Sequence, residues 1–573
     1  MRNANIKSLL FILIVGLLFS ACQGGNTGNT ATTSATGGTE ANNAVSKTPE
    51  SKPEETEPED KDMDTPNADS ASTTSAATTT ATSTAASATS TTAALDSSAN
   101  TLDEVEIIWY LAGSWPQRDQ EEVFAEFNRM LKEKINATVD FRALGFGEFD
   151  PKIQAVIASG EAYDICFTSN WVNDYLQNVS KNAFMPINDL LETYAPKFYD
   201  SIPRPYWGAV TIEEKIYAAI GLQVVASAPA VNTYKYLIDE SGYDHEKQYI
   251  PGDLLSLEPL FKYIYDTYGG YFLMPDSTGG ILVGLEFPGG STIPVALDLS
   301  DGKTIVKIYE FPSYIKFVND LRYFNSQGYM RSDIRSAYPD DAANTSVAAE
   351  QYGYPDEYVY IGGTYMPGYD SMVSSSYEKD GWKTGWPVCT PLVSSSAIQA
   401  TLTGFNVNAR NPERAMMMLE LLNLPPQEGE IFNRIFNTLA FGIENKHWSY
   451  VESGLRHWID IDGYCPNNDW GAIGNQFNAV PDETKEPDIY EQHRKYNLSS
   501  QVSPIMGFAF DPTPVRTEVA NCAGVQTEYS RRIILGTITD AEYNEMVAKY
   551  EQSGTDVIVA EMQRQLDAWR ASK

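Results

Sequence analysis

The segments VEIIWYLAGSW (Val105–Trp115), EEVFAEFNRMLKEKI (Glu121–Ile135), ATVDFRAL (Ala137–Leu144) and YDICFTSNW (Tyr163–Trp171) decide the fold. The first, third and fourth read as strands, and the second has apolar residues at helical spacing. A further helix is predicted over Pro151–Ser159. Strands that alternate with helices of this length predict right-handed βαβ units on a parallel sheet. Ligands of such sheets bind beyond the carboxyl ends of the strands, so we expect functional residues after the first and third strands.

The size and charge of the chain narrow the classes of function. It has 573 residues, 42% of them hydrophobic, which is too much for one ordinary domain. The formal net charge is −35 at pH 7. Such a surface repels nucleic acid and anionic lipid, and no basic patch offsets it, so we expect no nucleic-acid partner.

The first 22 residues read as a signal peptide. A basic start precedes an apolar run over Ser8–Phe19, which has the length of a signal-peptide core and is too short to span a bilayer. Ser20-Ala21-Cys22 follows and resembles the lipobox of bacterial lipoproteins, which implies lipidation of Cys22. The alternative is an ordinary secretory signal with an incidental cysteine.

Residues 23–102 are composed mainly of Thr, Ser, Ala and acidic residues and contain no aromatic residue. A segment of this composition cannot bury enough apolar surface to offset its ordering entropy. We therefore expect a disordered linker that tethers the folded part to a membrane surface.

Several motifs resemble the extracellular solute-binding proteins of ABC importers. They are the leader with Cys22, GFNVNARNPERAMMMLELLN (Gly404–Asn423), GFAFDPTPVRTEVANCAGVQTEYSRRIILG (Gly507–Gly536) and AEMQRQLDAW (Ala560–Trp569). Within that class the chain is similar to the carbohydrate-type (family 1) lipoproteins of Gram-positive bacteria, and its end resembles an uncharacterised C-terminal domain found in them. The resemblance implies an α/β fold of the periplasmic-binding-protein type II, with two lobes, a hinge and a central cleft.

On this basis the chain divides into six parts. They are a lipoprotein signal peptide (1–22), a linker (23–102), the first part of lobe 1 (103–228), lobe 2 (229–398), a segment that returns to lobe 1 (399–445) and a C-terminal helical region completing the lobes (446–573).

Sugar binding requires flat apolar faces for the C–H side of a pyranose ring and amides or carboxylates for its hydroxyls. Four clusters of Trp with polar residues offer this mixture, and two of them follow predicted parallel strands. The candidate ligand-binding residues are Ser114, Trp115, Asn170, Trp171, Asp174, Trp382, Trp386, Trp470, Asn475 and Gln476. Trp109, inside the first strand, and Trp569, on the terminal helix, are expected to pack in the core.

Signatures of catalysis are weak. None of the four histidines forms HExxH, and no GxSxG or phosphate-binding loop occurs, so we expect no enzyme activity, metal or cofactor. Asp460–Gly463 hints at a calcium loop but fails the EF-hand spacing. Paired carboxylates of a surface-anchored glycan-degrading enzyme remain an alternative. The sequence does not decide whether Cys166, Cys389, Cys465 and Cys522 form disulfides.

The expected function is that of a receptor anchored by lipid at the extracytoplasmic face of the cell membrane. It would act as a monomer, bind a carbohydrate, in particular an oligosaccharide, between its lobes and deliver it to the permease subunits of an ABC importer. A receptor for a peptide, a lipid-linked sugar or another solute is the second alternative.

Overall fold

The computed structural model describes residues 102–269, 271–273, 283–330, 358–362, 364–367, 383–426, 433–451 and 454–573. The predicted signal peptide, the predicted lipidation site Cys22 and nearly all of the predicted linker lie outside the described residues. Trp382, one of the predicted ligand contacts, also lies outside them.

The strands of the described part are numbered in chain order. They are β1 (Val105–Gly113), β2 (Ala137–Gly145), β3 (Ile165–Thr168), β4 (Thr211–Ile212), β5 (Lys215–Ile216), β6 (Ala218–Ile220), β7 (Ala226–Ser227), β8 (Ala230–Tyr234), β9 (Tyr271–Leu273), β10 (Leu285–Glu286), β11 (Val295–Asp298), β12 (Ile305–Lys307), β13 (Tyr358–Gly362), β14 (Lys383–Pro387), β15 (Leu392–Val393), β16 (Leu402–Phe405), β17 (Trp448–Tyr450), β18 (Arg456–Trp458) and β19 (Gln501–Val502).

The α-helices, referred to below by their bounds, lie between these strands and at the C-terminus. They are Gln120–Ile135, Phe146–Ser159, Tyr175–Ser180, Asn188–Tyr194, Pro196–Ser201, Lys235–Ser241, His245–Gln248, Glu258–Tyr268, Pro312–Ser326, Ser395–Ile398, Pro412–Asn423, Arg434–Phe441, Ile489–Ser499, Arg516–Ile534, Asp540–Gln552 and Thr555–Ala571.

The opening of the chain forms the predicted parallel sheet. Strand β1 pairs in parallel with β2 and β3, and the full order of this sheet is β2-β1-β3-β16-β6. Strand β16 is antiparallel to both of its neighbours. The helix predicted to begin at Pro151 begins at Phe146, directly after β2. Pro151 lies inside that helix beyond its first turn, so its missing N–H removes the backbone bond that residue 151 would otherwise donate to the Gly147 carbonyl.

Two separate hydrophobic cores define two lobes. The first core surrounds the β2-β1-β3-β16-β6 sheet and contains Trp109, which is fully buried as predicted. The second core joins β8 and β10–β12 to the three C-terminal helices, whose buried residues include Met546, Ile558 and Leu566. These sheets have three and four short strands, and the helices packed on them supply the apolar cover that such sheets need for stability. The residue boundaries predicted for the lobes stay predictions.

A three-stranded sheet of order β19-β15-β7 lies where the chain passes between the cores. Strand β7 leads from Ala226 of the first core to Val231 of the second, and β15 leads back from Val388 to Val393. Strand β19 leads once more to the second core, at Ile505. The three crossings between the lobes at β7, β15 and β19 are therefore hydrogen-bonded to one another as a hinge.

Candidate ligand-binding site

The carboxyl ends of β1, β2 and β3 lie at one edge of the first sheet because these strands are parallel. Phe146 follows β2 directly, and Ser169-Asn170-Trp171 follows β3. Trp470 reaches the same place from a distant part of the chain and contacts both Phe146 and Trp171. The edge that the fold makes available for a ligand thus carries aromatic residues.

Phe146, Trp171 and Trp470 form what we call the aromatic platform. Its ring centroids are 5.9 Å (Phe146 to Trp171), 6.3 Å (Phe146 to Trp470) and 6.3 Å (Trp171 to Trp470) apart. All three residues are partly exposed, whereas Phe167 beneath them is 1% exposed and lies 5.8 Å from each indole. The platform is therefore an apolar surface supported by the core.

Both indole N–H groups of the platform are satisfied within the protein. Trp171 Nε1 donates to the carbonyl of Ala400 at 2.9 Å, and Trp470 Nε1 donates to the carbonyl of Asn467 at 2.8 Å. These bonds fix the ring planes and leave ring surface, rather than a polar donor, for a ligand. Such surfaces suit the C–H face of a sugar.

Polar side chains surround the platform, and each already has a role in the fold. Asn170 Nδ2 donates to the backbone oxygen and hydroxyl of Ser396 at 2.9 and 2.8 Å. Asp174 accepts from the backbone N–H of Gln177 and caps the helix Tyr175–Ser180. Burial raises the pKa of Asp469, which directly precedes Trp470, although the positive charge of Arg456 opposes the shift.

Trp115 and Ser114 do not present the surface that the sequence predicted. The Trp115 residue is 8% exposed and belongs to the first core, with its ring 5.5 Å from Phe124 and 6.0 Å from Tyr464. The Ser114 N–H donates to the carbonyl of Pro466 at 2.8 Å, which holds the loop against the region that supplies Tyr464. The indole turns inward because these two rings offer it an apolar site, so the structure does not place it on an open surface.

Three further predicted contacts are also buried. Trp386 is 4% exposed in the second core, where it stacks on His245 at 4.6 Å. Asn475 accepts from the backbone N–H of Phe477 at 3.0 Å, and Gln476 donates its own N–H to Leu222 at 2.8 Å. Both are below 9% exposed, so the structure uses them to hold the chain rather than to line an open surface.

Phe146 is the member of the platform that the sequence analysis missed. It follows the predicted strand Ala137–Leu144 in the same way that Trp171 follows β3. The rule that points to strand ends applies equally to Phe146, but its ring lacks the indole that marks the other candidates.

The segment Asp460–Gly463, considered above as a calcium loop, binds an arginine side chain in the structure. The Asp460 carboxylate accepts from the Gly463 N–H at 3.1 Å and pairs with the guanidinium of Arg118, which also bonds Asp119. Within the described ranges, no group of three or more His, Cys, Asp and Glu side chains is placed to hold a metal ion. Cys166, Cys389, Cys465 and Cys522 are free thiols.

Of the helices within the described ranges, none combines the length and the apolar character that crossing a membrane requires.

Solved structures resemble the whole described fold. The N-glycan transport solute binding protein NgtS of Streptococcus pneumoniae aligns with a TM-score of 0.63 at 24% identity, covering 81% of this chain and 99% of that one. An extracellular solute-binding protein from Bifidobacterium longum subsp. infantis aligns with a TM-score of 0.52 at 13% identity, covering 81% and 98%. This chain has the fold of a type II periplasmic solute-binding protein.

Sequence comparison agrees with the fold. A protein of Streptococcus pneumoniae serotype 4 (strain ATCC BAA-334 / TIGR4) named "Carbohydrate ABC transporter substrate-binding protein" is 26% identical over 491 residues, which are 83% of this chain and 93% of that protein. Residues 504–571 match the family described as a domain of unknown function, DUF3502. The resemblance to carbohydrate-type solute-binding proteins, including their uncharacterised C-terminal domain, is thereby confirmed. These relatives are binding proteins of transporters rather than enzymes.

Proposed function

We propose that this protein is the substrate-binding component of an ABC importer, which captures an oligosaccharide between its lobes and delivers it to the permease. The observation that carries the proposal is the aromatic platform at the carboxyl edge of the first sheet, with both indole N–H groups satisfied internally. Binding would shift the lobes from an open to a closed arrangement and needs no covalent step.

The relatives support the class of ligand. The S. pneumoniae sequence relative is named for carbohydrate transport, and NgtS was crystallised in complex with Man1GlcNAc, a structure that aligns with this chain at a TM-score of 0.54 and 24% identity. Those sugars are ligands of NgtS. For this chain we propose an oligosaccharide without naming its units.

The proposed contacts are Phe146, Trp171 and Trp470 through their ring faces, and Asn170 and Asp174 through their polar groups. The last two are partly exposed beside the platform, and each has lone pairs or N–H groups beyond those its structural hydrogen bonds use. Trp382 stays a prediction. Ser114 and the buried residues Trp115, Trp386, Asn475 and Gln476 are left out of the proposal.

Calorimetry against a panel of neutral oligosaccharides tests the proposal. We expect Trp171→Ala and Trp470→Ala each to weaken binding about tenfold or more, because each removes a stacking face worth about 1.4 kcal/mol or more. Trp458→Ala is the matched control, since Trp458 is also partly exposed but packs on Phe441 rather than on a ring of the platform. The sugar should be recovered intact after incubation.

The outcomes separate the function from the site. If no oligosaccharide binds the wild-type protein, the proposed function fails. If sugars bind but both platform variants bind like the wild type, the function stands and the platform is the wrong site. Release of shortened products, abolished by substitution of one carboxylate, would favour the glycan-degrading alternative.

We also propose that a lipid on Cys22 holds the protein at the extracytoplasmic face of the membrane, where it acts as a monomer. The lipobox-like Ser20-Ala21-Cys22 and the acidic, Ser/Thr-rich linker of residues 23–102 support the proposed anchoring. Radiolabelled palmitate should enter the wild-type protein in cells and should not enter Cys22→Ala, which should appear in the medium. Labelling of both proteins would contradict the assignment.

A further inference from the structure

The first residues of the DUF3502 segment alternate between the two lobes. Ile505 and Phe508 are 2% and 7% exposed in the second core, where Phe508 packs on Trp569. Met506, between them, packs against the first core instead. The backbone is thus inserted at the boundary of the lobes, and Gly507 is the next residue to meet lobe 1.

Gly507 lies directly on Gly208 of the 3₁₀ turn Arg204–Val210, whose Tyr206 and Trp207 belong to the first core. A Cβ on Gly507 would lie 2.3 Å from the Gly208 carbonyl oxygen, which no packing tolerates, and φ at Gly507 is +91°. The two backbones can approach this closely only because residue 507 is glycine.

A hydrogen bond fixes the contact from the side of lobe 1. The Gly507 N–H donates to the hydroxyl of Ser395 at 2.7 Å. Ser395 begins the helix Ser395–Ile398 soon after hinge strand β15, and Gly507 follows hinge strand β19 closely. The contact therefore lies beside the hinge, where a rotation of the lobes displaces atoms least.

We propose that Gly507, seated on Gly208 and held by Ser395, is the pivot on which the lobes turn. In this role the start of the C-terminal domain of unknown function sets the balance between open and closed lobes, and through that balance the affinity for a ligand. The link to affinity rests on the proposed function. The pivot itself does not.

The experiment measures the distance between the lobes in the unliganded full chain. Spin labels are placed through an unnatural amino acid at exposed Leu176 in lobe 1 and Val557 in lobe 2. Gly507→Ala is compared with Gly524→Ala, which lies in the same domain and whose added Cβ meets nothing within 4 Å. We expect the distance distribution of Gly507→Ala to shift, and that of Gly524→Ala to match the wild type.

Two milder variants, Gly208→Ala and Ser395→Ala, keep the test decisive if Gly507→Ala does not fold. A Cβ on Gly208 would meet the flexible side chain of Met506, with Cγ at 3.2 Å. Ser395→Ala removes the bond from the Gly507 N–H and the weaker bond that the Ser395 hydroxyl donates to Met506 Sδ at 3.6 Å. Both should broaden or shift the same distribution and change the affinity for a bound oligosaccharide at least about fivefold, without touching the platform.

Unchanged interlobe distances in every pivot variant that folds would overturn the proposal, even if their melting temperatures fall. A merely structural role would lower stability and leave the distances as they are. If no oligosaccharide binds the wild-type protein, the proposed function fails, and the pivot is then decided by the distances alone.

Discussion

Glu286 is a buried carboxyl group beside the hinge. It lies in β10, is 8% exposed and accepts a hydrogen bond from the Ser503 hydroxyl at 2.8 Å, directly after β19. Burial raises the pKa of Glu286 to about 7, and the bond from Ser503 offsets only part of that rise. The folded protein therefore holds this proton more tightly than the unfolded chain does.

Glu286→Gln should remove a pH dependence of stability. The pKa of Glu286 is raised from the usual 4.5 to about 7 in the folded protein. The contribution of this proton to the free energy of unfolding is therefore fully present below about pH 4.5 and is lost as the pH rises through 7. Urea unfolding should show that the free energy of unfolding of the wild type falls, relative to that of Glu286→Gln, by on the order of 3 kcal/mol between pH 5 and pH 8. Parallel curves for the two proteins would mean that Glu286 titrates normally.

At the scale of one element, the helix Asp540–Gln552 depends on its first turn. Thr539 accepts from the Glu542 N–H at 3.2 Å, and Glu542 accepts from the Thr539 N–H at 2.9 Å, which is a capping box. Thr539→Ala should lower the free energy of unfolding by about 1 kcal/mol, measured in urea. Thr527→Ala is the control, since Thr527 is exposed within a helix and should change it by less than about 0.5 kcal/mol. Equal effects would show that the cap contributes nothing.

The sequence predicted the elements better than their partners. Strand and helix periodicity found β1 to β3 and the helix after β1, because those patterns are local. It could not place β16 antiparallel between β3 and β6, since pairing across hundreds of residues leaves no local trace. For the same reason Trp115 was expected in a cleft. Its burial depends on Tyr464, which only the folded chain brings to it.

At the scale of the whole molecule, the proposed site and the hinge are connected by a hydrogen bond. The platform joins Trp171 at the end of β3 to Trp470 from the C-terminal third of the chain, and the Trp171 indole bonds Ala400 shortly after hinge strand β15. A ligand bound there as proposed would therefore contact Trp171, which is hydrogen-bonded to the segment that follows β15. In the proposal this bond links binding to closure, and strand-end rules could locate only the Trp171 half of the platform.

Ligand binding should accordingly stabilise both lobes in one step. At a free sugar concentration of about 100 times Kd, linkage adds about 2.7 kcal/mol to the free energy of unfolding, which for a chain of this length is a rise in Tm of about 3 °C. Because a closed cleft holds the sugar from both sides, calorimetric scanning should move the entire unfolding transition upward. Scattering should show a smaller radius of gyration at the same sugar concentration. If two transitions are resolved and the sugar moves only one of them, with no compaction, the ligand is held by a single lobe and the three hinge crossings do not transmit its binding.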